Sequence, residues 1–233
     1  MLLTGHQPNY LPYLGFFHKI ALADRFTLVD TTQFVKRGPF GWIHRNKIRT
    51  PDGSMWLSVP VHTKGKFTQR ICDTMIRADQ PWARKHWRAI EHNYRKAPHF
   101  ARTAEPLRAV YEREWTRLGD LNVALIRLIL GWLRIEVPVT IASEAGIDGT
   151  ATGLVIELCR AAGTDTYLSG VHGRDYLDEA MLEAAGVMVQ YQQFEHPTYP
   201  QCQPGDFVPN LSVLDLLFNV GPDSRAVLTG ERH

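Results

Sequence analysis

The first thirty residues constrain this fold more than any later segment, because they place a short apolar strand, a proline-stiffened polar loop, a helix and a second strand in immediate succession. Residues 1–5 read as the strand. The loop Gly5-His6-Gln7-Pro8-Asn9-Tyr10-Leu11-Pro12 follows, and its two prolines bar helix there. From about Leu14 to Ala23, Phe16, Phe17, Ile20, Ala21 and Ala23 fall on one helical face. Arg25–Asp30 (RFTLVD) is rich in β-branched and aromatic residues and reads as a second strand. A strand–helix–strand unit of this kind puts its first loop at the carboxyl end of a parallel strand, where ligands of open α/β sheets bind.

The pattern returns later in the chain. Val137–Ala142, Asp165–Ser169 and Val187–Gln192 read as strands, and Gly153–Ala162 as a helix that Gly163 ends in the left-handed conformation. Residues 173–184 read as a helix with Leu177, Ala180, Met181 and Ala184 inward. Ser212 and Asp215 open a short helix that ends near Gly221. Residues 31–53 read as an irregular basic loop, and Met55–Val61 as a third strand or sheet edge. Residues 80–135 are helical: Ala83, Trp87, Ile90 and Tyr94, then Leu118, Leu121, Leu125, Leu128 and Trp132, recur at helical spacing and belong to the core. The expected fold is α/β and Rossmann-like, with a mostly parallel sheet. It forms a single domain over residues 1–233 with a helical insertion at 80–135, and the strand order is left open.

The net charge of +2 conceals an asymmetry. Residues 1–100 carry 16 Lys/Arg against 6 Asp/Glu, and the rest carry 10 against 18. A basic half points to an anionic partner: phosphate, nucleotide or nucleic acid. No run of about 18 apolar residues appears and the start lacks the pattern of a secretory signal, so neither a membrane nor export is expected. Cys72, Cys159 and Cys202 are far apart and match no metal spacing, which suits the cytoplasm and gives no metal site.

Four polar segments carry the candidate chemistry. His6 follows a strand and is the candidate general base, with Gln7 beside it and Asn9 and Tyr10 as candidate oxyanion donors; His18 lies on the next helix. Between Asp30 and Arg49 come Gln33, Lys36, Arg37, His44, Arg45, Asn46 and Lys47, interleaved with Phe34, Phe40 and Trp42. Cations hold phosphate there, rings stack on a base or sugar, and Asp30 accepts from a hydroxyl. Ser169, Gly170, His172 and Gly173 lie at a strand-to-helix turn suited to an anion. His196 and Tyr199 sit in a rigid loop after the last strand. No nucleophile elbow, zinc-protease motif, phosphate-binding P-loop or kinase motif is present.

Taken together, GHQPNYLPYLGFFHKIALAD (5–24), Gln33-Phe34, Arg45-Asn46-Lys47-Ile48, Trp56–Val61, YLSGVHGRDYLD (167–178), HPTYPQ (196–201) and LSVLDLLFNVG (211–221) resemble the WbqC-like family. The resemblance covers most of the chain outside about 80–135. It implies a place in gene clusters for O-antigen or natural-product sugars, and acylation or aminoacylation of an amine. The order of strand, His/Pro loop, helix and strand is also similar to nucleotidyltransferases and pantothenate synthetase, which implies an acyl-adenylate and ATP. The chain lacks their H-x-G-H and KMSKS-type motifs. The expected function is therefore a transferase or ligase that forms an amide on an anionic or nucleotide-linked amine. The acyl donor is open between a free acid with ATP, a thioester and aminoacyl-tRNA. The rival is a non-catalytic module that binds a nucleotide-sugar or nucleic acid and assists a partner enzyme.

Overall fold

The computed structural model describes residues 1–38 and 41–231. Phe40, expected among the stacking rings, lies outside the described residues. A five-stranded parallel sheet forms the centre. Its strands are β1 (Leu2–His6), β2 (Arg25–Leu28), β5 (Val139–Ile141), β6 (Thr166–Ser169) and β7 (Met188–Tyr191), in the order β5-β2-β1-β6-β7. Helix α1 (Leu14–Ala21) crosses from β1 to β2. After β5 the chain returns through α5 (Ala151–Ala162) to the opposite side of β1. The direction of winding therefore reverses between β1 and β6, and the crevice outside their carboxyl ends is where such sheets take ligands. This is the Rossmann-like α/β architecture expected.

Each face of the sheet is covered. On one side Phe26 and Leu28 join Phe16, Phe17 and Ile20 of α1, the apolar residues of α2 (Trp82–Tyr94), α3 (Phe100–Glu112) and α4 (Leu118–Trp132), and α7 (Val213–Val220). On the other, Leu3 and Val29 pack with Leu154, Val155 and Leu158 of α5. Gly163 ends α5 at φ 64° and ψ 40°, as its position requires. Ser212 caps α7, its Oγ accepting from the Leu214 N–H. No helix among the described residues is long and apolar enough to cross a membrane.

Two segments differ from the sequence reading. Within the expected loop 31–53, Arg45–Thr50 forms β3, and it pairs antiparallel with β4 (Gly53–Ser58) in a ribbon separate from the main sheet. The pattern RNKIRT hides this strand because two of its three fully buried residues are Asn46 and Arg49. The segment read as one helix over 173–184 is a 3-10 turn, Val171–Asp175, followed by α6 (Glu179–Ala184). Asp178 starts α6 afresh by accepting from the Met181 N–H. Leu177 and Leu182 are the buried apolar residues there, whereas Ala180, Met181 and Ala184 face out.

Candidate functional site

β1 ends on His6, whose ring meets Phe16 of α1 edge-on at 4.7 Å. His6 Nδ1 lies 3.0 Å from the Gln7 carbonyl. A carbonyl only accepts, so Nδ1 carries the proton and Nε2 keeps its lone pair. Burial first, and then the positive charge of Lys19, push the imidazole down from 6.5 to about 3, against a smaller upward pull from the Gln7 carbonyl. Lys19, on the buried side of α1, donates from Nζ to the Gly5 carbonyl at 2.9 Å. Burial lowers its amine from 10.5 to about 7, and no carboxylate pairs with it among the described residues. The sequence reading missed Lys19. The signal was a lysine three residues after Phe16 and beside Ile20, inside an otherwise apolar stripe.

The loop after β1 is fastened on several sides. Gln7 Nε2 donates to Thr32 Oγ1 (2.9 Å), beyond the end of β2. Asn122 of α4 donates from its one amide nitrogen to the carbonyls of Pro8 (2.8 Å) and Ile43 (2.7 Å). Asn46 donates to the Leu11 carbonyl, which holds Leu11 at φ 44°. Asn9 Oδ1 and Thr31 Oγ1, at the ends of neighbouring strands, are buried without a partner among the described residues. Buried polar atoms are almost always satisfied, so these two point to a bound group or water. Tyr10 does not join them: its hydroxyl lies 2.8 Å from His86 Nδ1 and 2.6 Å from the Tyr111 hydroxyl, deep in the helical layer. That placement removes Tyr10 from the oxyanion role.

Across the crevice, Ser169 ends β6, buried, with Oγ turned to the Gly170 carbonyl (3.2 Å). The Gly173 N–H is engaged by Gly170, and a Cβ at 173 would lie 1.9 Å from Ser169 Oγ, so only glycine fits. His172 is exposed and faces Asp175 at 3.4 Å. The turn therefore presents less to an anion than its glycines imply. His18 accepts from Gln192 Nε2 (2.8 Å) and packs on Phe194.

The loop 196–201 is held by its own contacts. His196 bonds the Pro197 carbonyl through Nδ1 (2.8 Å) and accepts from the Asn210 N–H through Nε2 (3.2 Å), so both nitrogens are committed. Tyr199 is buried edge-on against Phe207, and burial with the nearby Asp215 carboxylate raises its phenol pKa. Asp215, buried in the first turn of α7, accepts from Tyr94 (2.9 Å) and Gln201 (2.7 Å).

The basic segment divides. Asp30 accepts from the Ser143 N–H (2.9 Å) and hydroxyl (2.6 Å), one bond on each carboxylate oxygen, and so ties β2 to the end of β5. Gln33 donates to the Phe67 carbonyl (2.7 Å). Asn46 and Arg49 are internal clamps: the Arg49 guanidinium donates to the carbonyls of Thr50, Gly53, Pro204 and Asp206. Lys36 and Arg37 are exposed, while Arg45 and Lys47 stand on the outer face of the ribbon over Trp56. A cleft of about 1070 Å³ lies between α2 and α3 and is lined by none of the sheet-edge residues.

A protein-family model described as the WbqC-like protein family matches residues 7–227. The uncharacterized protein Rv1507c of Mycobacterium tuberculosis is 37% identical over 220 residues, which is 94% of this chain and 93% of that protein. The matched span takes in the loop after β1, the ribbon and the β6 turn.

Proposed function

We propose that this chain, which belongs to the WbqC-like protein family, forms an amide by joining an amino-acid or acyl group to an amine on an anionic, nucleotide-linked sugar or related biosynthetic intermediate. One observation carries the reading. His6 and Lys19, two buried nitrogen bases, meet at the end of β1, where the sheet reverses and Lys19 donates to the Gly5 carbonyl, and burial lowers the pKa of both. An attacking amine must shed a proton, and a base works best when its pKa lies near the operating pH. In the free protein His6 is too weak a base, at about 3. An anionic substrate seated against it opposes the Lys19 charge and returns the imidazole toward its ordinary range, so the substrate itself arms the base. Lys19 acts through His6 as a positioning residue. The Asn9 amide supplies a donor for the tetrahedral oxyanion. The acyl donor is an acid activated by ATP, a thioester or an aminoacyl-tRNA, and the reaction runs in the cytoplasm.

The test is a thermal-shift screen at fixed salt with ATP, nucleotide-linked amino sugars, acyl-CoA and aminoacyl-tRNA, followed by mass-spectrometric turnover with the ligands that bind. A ligand at 100 times its Kd adds about 2.7 kcal/mol, or roughly 5–11 °C for a chain of this size. His6→Gln should keep the shift and lose turnover. Normal turnover by this variant removes His6 from the chemistry. Binding without turnover by the wild type replaces the enzyme reading with a binding module, which the cations of the ribbon, in no ion pair among the described residues, favour as the second reading.

A further inference from the structure

We propose that the outer face of the β3–β4 ribbon, with the adjoining 62–67 loop, binds single-stranded nucleic acid. Bases stack on Trp56 and Phe67, and phosphates meet Lys36, Arg45, Lys47, Lys64 and Lys66. This inference stands independently of the amide-forming reading.

The ribbon creates the face by strand alternation. Lys47 pairs directly with Trp56, and Arg45 lies diagonal to it. The Arg45 guanidinium carbon is 4.4 Å and Lys47 Nζ 5.2 Å from the Trp56 ring centre, and Trp42 lies 5.2 Å from Trp56. Trp56 is 41% exposed and Phe67 83%. The 62–67 loop, which follows the ribbon in the chain, is held by the segment before it, Lys36 donating to Thr63 (3.4 Å) and Gln33 donating to the Phe67 carbonyl (2.7 Å). None of the ion pairs among the described residues involves the five cations.

A further observation links Arg45 of the ribbon with Lys36, which holds the loop. His44, the residue before β3, is buried edge-on to Phe34, with Nδ1 unpartnered among the described residues. Burial first, then the charges of Arg45 and Lys36, hold its imidazole down at about 4, so a cation of the ribbon and the lysine that holds the 62–67 loop act on one ring. A mononucleotide would call for an enclosed pocket. Neither the cleft between α2 and α3 nor a smaller one of about 340 Å³ beside Met1 touches these residues. Exposed rings beside a track of cations fit unstacked bases on a polyanion instead.

The experiment is fluorescence anisotropy with labelled single-stranded RNA and DNA oligonucleotides of about 12 nucleotides, titrated at several salt concentrations. The single strand should bind more tightly than duplex of the same sequence. Trp56→Ala should weaken it roughly tenfold or more. The double variant Lys64→Glu/Lys66→Glu, on an exposed loop, should weaken it and lower the salt slope by about 0.7 per lost phosphate contact. A preference for RNA or for DNA then names the source of the strand. No measurable binding, binding unchanged in both variants, or equal displacement by a nucleoside diphosphate at the same phosphate concentration would each overturn the proposal.

Discussion

Lys47 and Arg49 stand two residues apart on the same side of β3, yet they meet opposite fates. Arg49 is roofed by the chain around 204–206 and holds four main-chain carbonyls, so its charge is part of the architecture. Lys47, one turn of the pleat earlier, has Trp56 beneath it and no carboxylate beside it among the described residues. A weaker contrast holds between Asn122 and Asn9: both carry a buried Oδ1 with no partner among the described residues, but the Asn122 amide nitrogen clamps two carbonyls. Counting where each polar group's hydrogen bonds go distinguishes a clamp from a candidate ligand contact, and residue type does not.

The largest effect expected from this contrast is on acid stability. His6, His44 and His86 are lowered from 6.5 to about 3, 4 and 4, chiefly by burial. The unfolded chain therefore takes up these protons first. The associated stability is full above pH 6.5 and is lost as pH falls through about 4 and then 3. Asp215, raised by burial, works the other way and offsets part of it. Urea titrations at pH 7 and pH 4.5 should differ by more than Arg49→Ala costs at pH 7, and equal midpoints would dissolve the idea of histidines buried neutral.

Next comes Arg49→Ala itself, which strands buried carbonyls and should cost at least about 3 kcal/mol in urea unfolding. A loss under about 1 kcal/mol would put Arg49 in Lys47's class. Asn122→Ala should cost about 2–3 kcal/mol for the carbonyls of Pro8 and Ile43, and should loosen the His6 loop enough to raise its amide hydrogen exchange. Gly173→Ala should cost about 1–3 kcal/mol, and a second change, Ser169→Gly, should recover most of it. Lys47→Ala should move stability by no more than about 0.5 kcal/mol, and a larger change would mean that the ribbon's outer face is structural after all.

Much of the fold was legible because its signals are local. The alternation of strands and helices, the αL position of Gly163 and the Ser212 cap all depend on residues close in sequence. β3 was not legible, since its buried positions include Asn46 and Arg49, whose partners, Leu11, Pro204 and Asp206, lie far away in sequence. The site divides for the same reason. His6, Gln7, Asn9 and Ser169 stand at the carboxyl edge as their places after strands implied. Tyr10 and His196 carry the same polar chemistry but are committed to distant residues, and Tyr199 is buried against Phe207, which no local pattern discloses. Lys19 failed in the opposite sense: it was hidden in a helix that reads as packing, and only the fold shows that a buried amine faces the end of β1.

The most direct test is an NMR titration of the His6 ring in protein labelled with 15N-histidine, with His6→Gln to assign the signal. The account predicts a neutral imidazole, protonated on Nδ1, that remains uncharged from pH 7 down to about 4 because burial and Lys19 oppose the second proton. A midpoint near the ordinary 6.5 would mean that water reaches the ring and that Lys19 does not act on it, and the paired bases at the sheet's reversal would no longer be a site.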